Sequence, residues 1–238
     1  MVRLLPQLAD FAAREYGTSP FLQRWTPAGW QSLSYEEFAR AVHAFAALLV
    51  AEDVKVGDRI GLQAENRPEW GVAYLAILEA GGVVVPLDVQ LRAQEVGEIL
   101  ATSGATACVA SARQMPLMRE VRDARLSSLG LFSLDDTDGV PHYAQALARF
   151  PDQAQRVLTA QPADLAVLIF TSGTTGQGKG VMLSHSNLLH NVEGVSRTFE
   201  FGPGDRLLSV LPLHHTFEST GGFLCPMRVG ASVAYARG

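Results

Sequence analysis

The chain has 238 residues, 47% of them hydrophobic and 18% charged. That length can bury about 70–75% of the unfolded surface, in one large domain or two small lobes, and the composition excludes a disordered chain. A net charge of −5 without a basic stripe excludes nucleic acid as a partner.

In chain order, the N-terminus reaches Asp10 without a signal-peptide core, and no run approaches the roughly 18 apolar residues of a membrane span. Residues 21–33 predict a hairpin turning at Pro27-Ala28-Gly29. Ser34-x-x-Glu37 is a capping box opening a helix with Phe38, Val42, Phe45 and Leu49 on one face. Asn66-x-x-Glu69 repeats the device before a helix over 67–80. Short strands are expected near 59–63, 82–86, 106–110, 129–134, 165–170, 206–210 and 232–235, mostly with helices between. Arg119, Arg122 and Arg125 fall at helical spacing and read as one solvated face. Residues 135–141 and 150–163, rich in Asp, Gly, Pro and Gln, are linker candidates. The alternation predicts an α/β fold with largely parallel sheets flanked by helices, with 1–160 and 161–238 as candidate lobes. Cys108 and Cys225 lie far apart in apolar contexts and read as reduced core residues, which fits a cytoplasmic protein. The six histidines show no zinc-ligand spacing.

The segment Thr171-Ser172-Gly173-Thr174-Thr175-Gly176-Gln177-Gly178-Lys179-Gly180 directly follows the apolar run 165–170. Such a loop suits a polyphosphate: glycines let backbone N–H groups approach, hydroxyls donate to oxygens, and an ammonium neutralises charge. Lys179 is one of two lysines among 19 basic residues. Gly173-x-x-x-x-Gly178-Lys179 has Walker A spacing, but Gly180 stands where that motif needs a hydroxyl for Mg²⁺. The lysine also leads into a short strand, Gly180–Leu183, with a helix starting at Ser184, whereas a Walker loop enters its helix directly. No dinucleotide-binding glycine fingerprint occurs.

Phe170 through Val181 resembles the phosphate loop of the AMP-forming adenylating enzymes (acyl-CoA synthetases, luciferases and adenylation domains), aromatic-T-S-G-T-T-G-x-P-K-G-V. Gly178 in place of proline is the one departure. Two further segments are similar to long-chain members of that family. Asn66 to Trp70 and Ala76 to Asp88 match the helix and strand before the loop. Leu211-Pro212-Leu213-His214-His215-Thr216-Phe217-Glu218 matches P-L-x-H in its fatty-acyl form ending H-x-x-E. The resemblance spans about residues 30–238. It implies ATP, fatty acid and coenzyme A as substrates, with Mg²⁺ accompanying the nucleotide. It assigns Thr171, Ser172, Gly173, Thr174, Thr175, Gly176, Gln177, Gly178 and Lys179 to the nucleotide, Thr174 to the metal, and His215 to a place beside the acyl group and α-phosphate.

The family's later segments are aromatic-G-x-T-E for Mg²⁺, T-G-D for ribose, and a lid bearing a catalytic lysine. None follows residue 218. The expectation is therefore the N-terminal part of a fatty-acid–CoA ligase, nearly inactive by itself. Its last strand, 232–235, is expected to be an unpaired edge that inclines the chain to self-association or to pairing with a complementary C-terminal chain. Peripheral membrane contact is compatible with such a ligase. The alternative is a non-catalytic nucleotide- or partner-binding protein built on the same lobe.

Overall fold

The computed structural model describes residues 2–151, 160–171 and 179–236. Helix α1 (Gln7–Tyr16) precedes the hairpin β1 (Pro20–Thr26) and β2 (Gly29–Ser34), with Trp25 paired to Trp30. Gly29 closes the turn at φ 107°, left-handed backbone that a side chain disfavours. Ser34 then caps α2 (Tyr35–Ala51): its hydroxyl accepts from the Glu37 amide at 3.2 Å, while Glu37 accepts from the Ser34 amide at 2.8 Å. Strand β3 (Arg59–Gln63), helix α3 (Pro68–Glu79) and strand β4 (Val83–Pro86) follow. Next come α4 (Ala93–Ser103), β5 (Ala105–Ala110), α5 (Met115–Arg125), β6 (Gly130–Ser133) and α6 (Tyr143–Arg149). The last stretch holds β7 (Leu165–Thr171), β8 (Lys179–Ser184), α7 (His185–Thr198) and β9 (Arg206–Ser209). A π-helical turn Glu218–Leu224, α8 (Cys225–Val229) and β10 (Ser232–Tyr235) complete it.

Two sheets result, ordered β2-β1-β10-β9 and β6-β5-β3-β4-β7-β8. Pairing is parallel except in the hairpins β1–β2 and β7–β8. Each sheet draws strands from both sides of residue 160. Strand periodicity divides the six-stranded sheet between two apolar clusters. Ile60, Leu62, Val84, Val109 and Phe132 face the cluster holding α2 and α3, whereas Val85, Cys108, Ala110 and Leu131 face α4 and α5. Every residue of α3 except Glu69 is buried, as expected of a helix that is apolar all round and packed against strands of both sheets. Arg119 and Arg125 lie exposed on α5 with Arg122 half-buried between them, and residues 135–141 are irregular, as expected. Residues 152–159 of the second linker candidate lie outside the described residues.

Two expectations are corrected. Asn66 does not cap α3. Pro68 forces the residue before it into extended backbone, so Arg67 (φ −162°, ψ 156°) becomes the N-cap, without a side-chain capping bond, and Asn66 falls one residue too early. Strand β10 is not an unpaired edge. It lies between β1 and β9, because a parallel sheet can insert its last strand in the middle. The edges are β2 and β9 in one sheet and β6 and β8 in the other.

Buried between helices is an ionic contact the apolar pattern hides. His43 on α2 places Nδ1 2.9 Å from Glu79 on α3 and Nε2 3.2 Å from Asp10 on α1. Burial alone would push the imidazolium down, but hydrogen bonds to Asp10 and Glu79 outweigh it and hold the group up at about 9.

Candidate functional site

Parallel β-sheets present ligand sites at the carboxyl ends of their strands. Thr171 is the last residue of β7, and Lys179, the first of β8, lies directly across from it in the antiparallel register. Both are exposed, and among the described residues Lys179 makes no ion pair. The hairpin therefore delivers a hydroxyl and an ammonium side by side at the carboxyl edge of the sheet. Gly180 pairs with Phe170, and a Cβ there would stand 2.9 Å from the Leu168 side chain. This close approach is a local reason for glycine at 180. Ser172, Gly173, Thr174, Thr175, Gly176, Gln177 and Gly178 lie outside the described residues. After β8, Ser184 caps α7: its hydroxyl accepts from the Asn187 amide at 3.2 Å, and Asn187 Oδ1 accepts from the Ser184 amide at 3.0 Å.

The His214–His215 segment reaches the same edge from the other sheet. His214 Nε2 lies 3.5 Å from Asp88, which follows β4, and β4 pairs with β7. The two imidazoles are 4.3 Å apart at 40°. His214 is half-buried; burial first, and neighbouring His215 second, lower its pKa against the opposing pull of Asp88. His215 is exposed, free to meet a ligand, with its amide donating to Pro212 at 3.0 Å. Glu218 is buried behind the pair. Its carboxyl accepts from the Ser209 hydroxyl at 2.5 Å, and burial raises its pKa. Gly222 makes room for that carboxyl, since a Cβ there would stand 2.5 Å from Glu218 Oε1.

A model of the AMP-binding enzyme family matches residues 9–238. The chain belongs to the AMP-binding enzyme family. It is 32% identical to the peroxisomal long chain acyl-CoA synthetase 6 of Arabidopsis thaliana, over 90% of this chain and 32% of that protein. It is 30% identical to a methyl-dioxo-octahydroindenyl-propanoyl:CoA ligase of Rhodococcus jostii, over 96% of this chain and 46% of that one. Among solved structures, MbtA of Mycobacterium smegmatis superposes with a TM-score of 0.88 at 25% identity, covering 98% of this chain and 44% of that one. The N-terminal domain of FACL13 from Mycobacterium tuberculosis gives 0.85 at 21% identity, covering 99% and 57%. The chain thus spans less than half the length of these two curated relatives and carries the fold of the N-terminal domain of acyl-CoA synthetases.

Asp88, Asn66 and Ser209 also belong to this edge, and none was legible as such. Asn66 mimics a helix cap in sequence. Its side chain instead donates to Leu211 O at 2.6 Å and Ser209 Oγ at 3.2 Å, and accepts from the Leu213 amide at 2.9 Å. These partners lie some 145 residues away, beyond any local pattern.

Proposed function

We infer that this chain is the N-terminal part of an ATP-dependent, AMP-forming fatty-acid–CoA ligase. The observation that carries the reading is the Thr171–Lys179 pair across the β7–β8 hairpin, at the carboxyl edge of a parallel sheet in a chain of this family. In the complete reaction a fatty carboxylate oxygen attacks the α-phosphorus of ATP. The bond to pyrophosphate breaks and an acyl-adenylate forms. The thiol of coenzyme A then attacks the acyl carbonyl, the acyl–oxygen bond breaks, AMP leaves and the thiol proton passes to solvent. Lys179 and the hydroxyls of Thr171, Ser172, Thr174 and Thr175 hold the phosphates, with the backbone of Gly173, Gly176, Gln177 and Gly178 approaching closely. Exposed His215 stands beside the acyl and α-phosphate groups.

Mg²⁺ accompanies the nucleotide in this reading, with Thr174 its protein hydroxyl. Among the described residues no three His, Cys, Asp or Glu gather as a metal-ligand set. Buried free Cys108 and Cys225 suit a cytoplasmic setting, and no described helix is long and apolar enough to cross a membrane. Exposed Met182 on β8 and Leu208 on β9 lie on edge strands, with exposed Val210 just beyond β9 and exposed Phe217 just before the π-helical turn. These side chains support self-association or cover by a complementary polypeptide.

Calorimetric titration with Mg-ATP tests the reading. An affinity weaker than about 1 μM is expected, because one phosphate loop should not supply the roughly −8.2 kcal/mol that value represents. Replacing Lys179 with alanine removes a charge-assisted contact and should weaken binding by about tenfold or more. An isotherm that the substitution leaves unaltered contradicts the lysine's role.

A further inference from the structure

Asn66 touches the site loop at two points of its backbone. Its Oδ1 accepts from the amide of Leu213 at 2.9 Å, and its Nδ2 donates to the carbonyl of Leu211 at 2.6 Å. The intervening Pro212 has no amide hydrogen, and its carbonyl is taken by the His215 amide at 3.0 Å. Among the described residues, Asn66 is the hydrogen-bond partner of both backbone groups that flank this proline. The same Nδ2 lies 3.2 Å from the Ser209 hydroxyl, which donates onward to Glu218 at 2.5 Å. The series ties both ends of the segment 209–218, and with it both imidazoles, to the start of α3.

We propose that Asn66 is a positioning residue: its amide fixes the segment 211–213 and so aims His214 against Asp88 and His215 toward bound acyl and phosphate groups. The inference rests on the reading of His215 given above. Only a side chain with a donor and an acceptor on one planar group can bracket an amide and a carbonyl two residues apart, which selects asparagine over aspartate here. Its placement is local in origin. Pro68 holds Arg67 extended, which keeps Asn66 off the helix end and frees its side chain for the loop. The loop pivots on Leu213, which is buried. Loss of the amide should therefore loosen the histidines while leaving the sheet intact.

Hydrogen exchange and imidazole resonances, followed by NMR on the 238-residue chain, test this. Asn66→Ala should speed exchange of the Leu213 amide by about tenfold. It should shift the ring signals of His214 and His215, with β3 and β5 amides at wild-type rates. Asn66→Asp keeps an acceptor for the Leu213 amide but sets a carboxylate against the Leu211 carbonyl. It should preserve Leu213 protection yet still move the ring signals, and it reads the proposal if the alanine variant fails to fold. Wild-type ring signals in the aspartate variant, or wild-type Leu213 exchange in a folded alanine variant, overturn the positioning role. Adding Mg-ATP to the same samples separates this proposal from the functional reading. Rings that respond to Asn66 but not to ATP support positioning and count against the ligand site. Rings that respond to ATP but not to Asn66 do the reverse.

Discussion

Replacing His43 with alanine is expected to destabilise the fold by about 3–5 kcal/mol, the cost of breaking a buried ion pair from one side. The imidazole bridges Glu79, whose side chain is fully buried, and Asp10, so α1, α2 and α3 converge on it. The substitution deprives both carboxylates of their imidazolium and opens a cavity between the helices. The pH dependence gives a second signature. His43 is raised from 6.5 to about 9 in the folded state, so its contribution is complete below pH 6.5 and lost as pH rises through about 9. Urea unfolding of the wild type should show stability falling across that window. The alanine variant should be less stable at pH 6 and lack this component. Equal slopes for the two proteins between pH 6.5 and 9 would remove the imidazolium from the account.

Phe223→Ala should cost about 3–5 kcal/mol as well, by a different route. The ring is fully buried on the π-helical turn that follows the His215 segment. Its centroid lies 6.0–6.4 Å from those of Phe21, Phe38, Trp70 and Tyr74, so one side chain joins the four-stranded sheet to α2 and α3. Gly71 on α3 is the other half of the contact, since a Cβ there would stand 2.6 Å from the Phe223 ring. Gly71→Ala should overpack the site by about 1–3 kcal/mol. The double variant should be less destabilised than the sum of the two, because removing the ring makes room for the methyl. Strict additivity in denaturant melts would show that the two positions do not meet.

The strands were legible because their apolar runs are short and bounded by turn residues. The fully buried Val83–Pro86 and the Gly29 hairpin needed no tertiary information. The strands flanking the candidate phosphate loop were legible because an apolar run, a glycine- and hydroxyl-rich segment and a second short run follow one another in order. Side-chain assignments that depend on distant partners were not. Asn66-x-x-Glu69 has the spacing of a capping box, yet Pro68 moved the cap to Arg67, and Glu69 instead pairs with Arg24 and Arg67. The last strand appeared to be an edge because sequence order carries no spatial order, whereas β10 inserts between β1 and β9. Nothing local in the sequence marks His43, because its carboxylates come from two other helices.

The proposed function requires nucleotide phosphates to bind across the β7–β8 hairpin beside the histidine segment. Backbone amide NMR during titration with Mg-ATP to about 10 mM tests it most directly, because that range detects binding of only a few kcal/mol. Shifts should concentrate at Thr171, Lys179, Gly180 and the His214–His215 segment. Signals of α4 and α5, on the opposite face of the sheet, should stay in place. Shifts confined to those helices, or no shift at the hairpin across the titration, would contradict it.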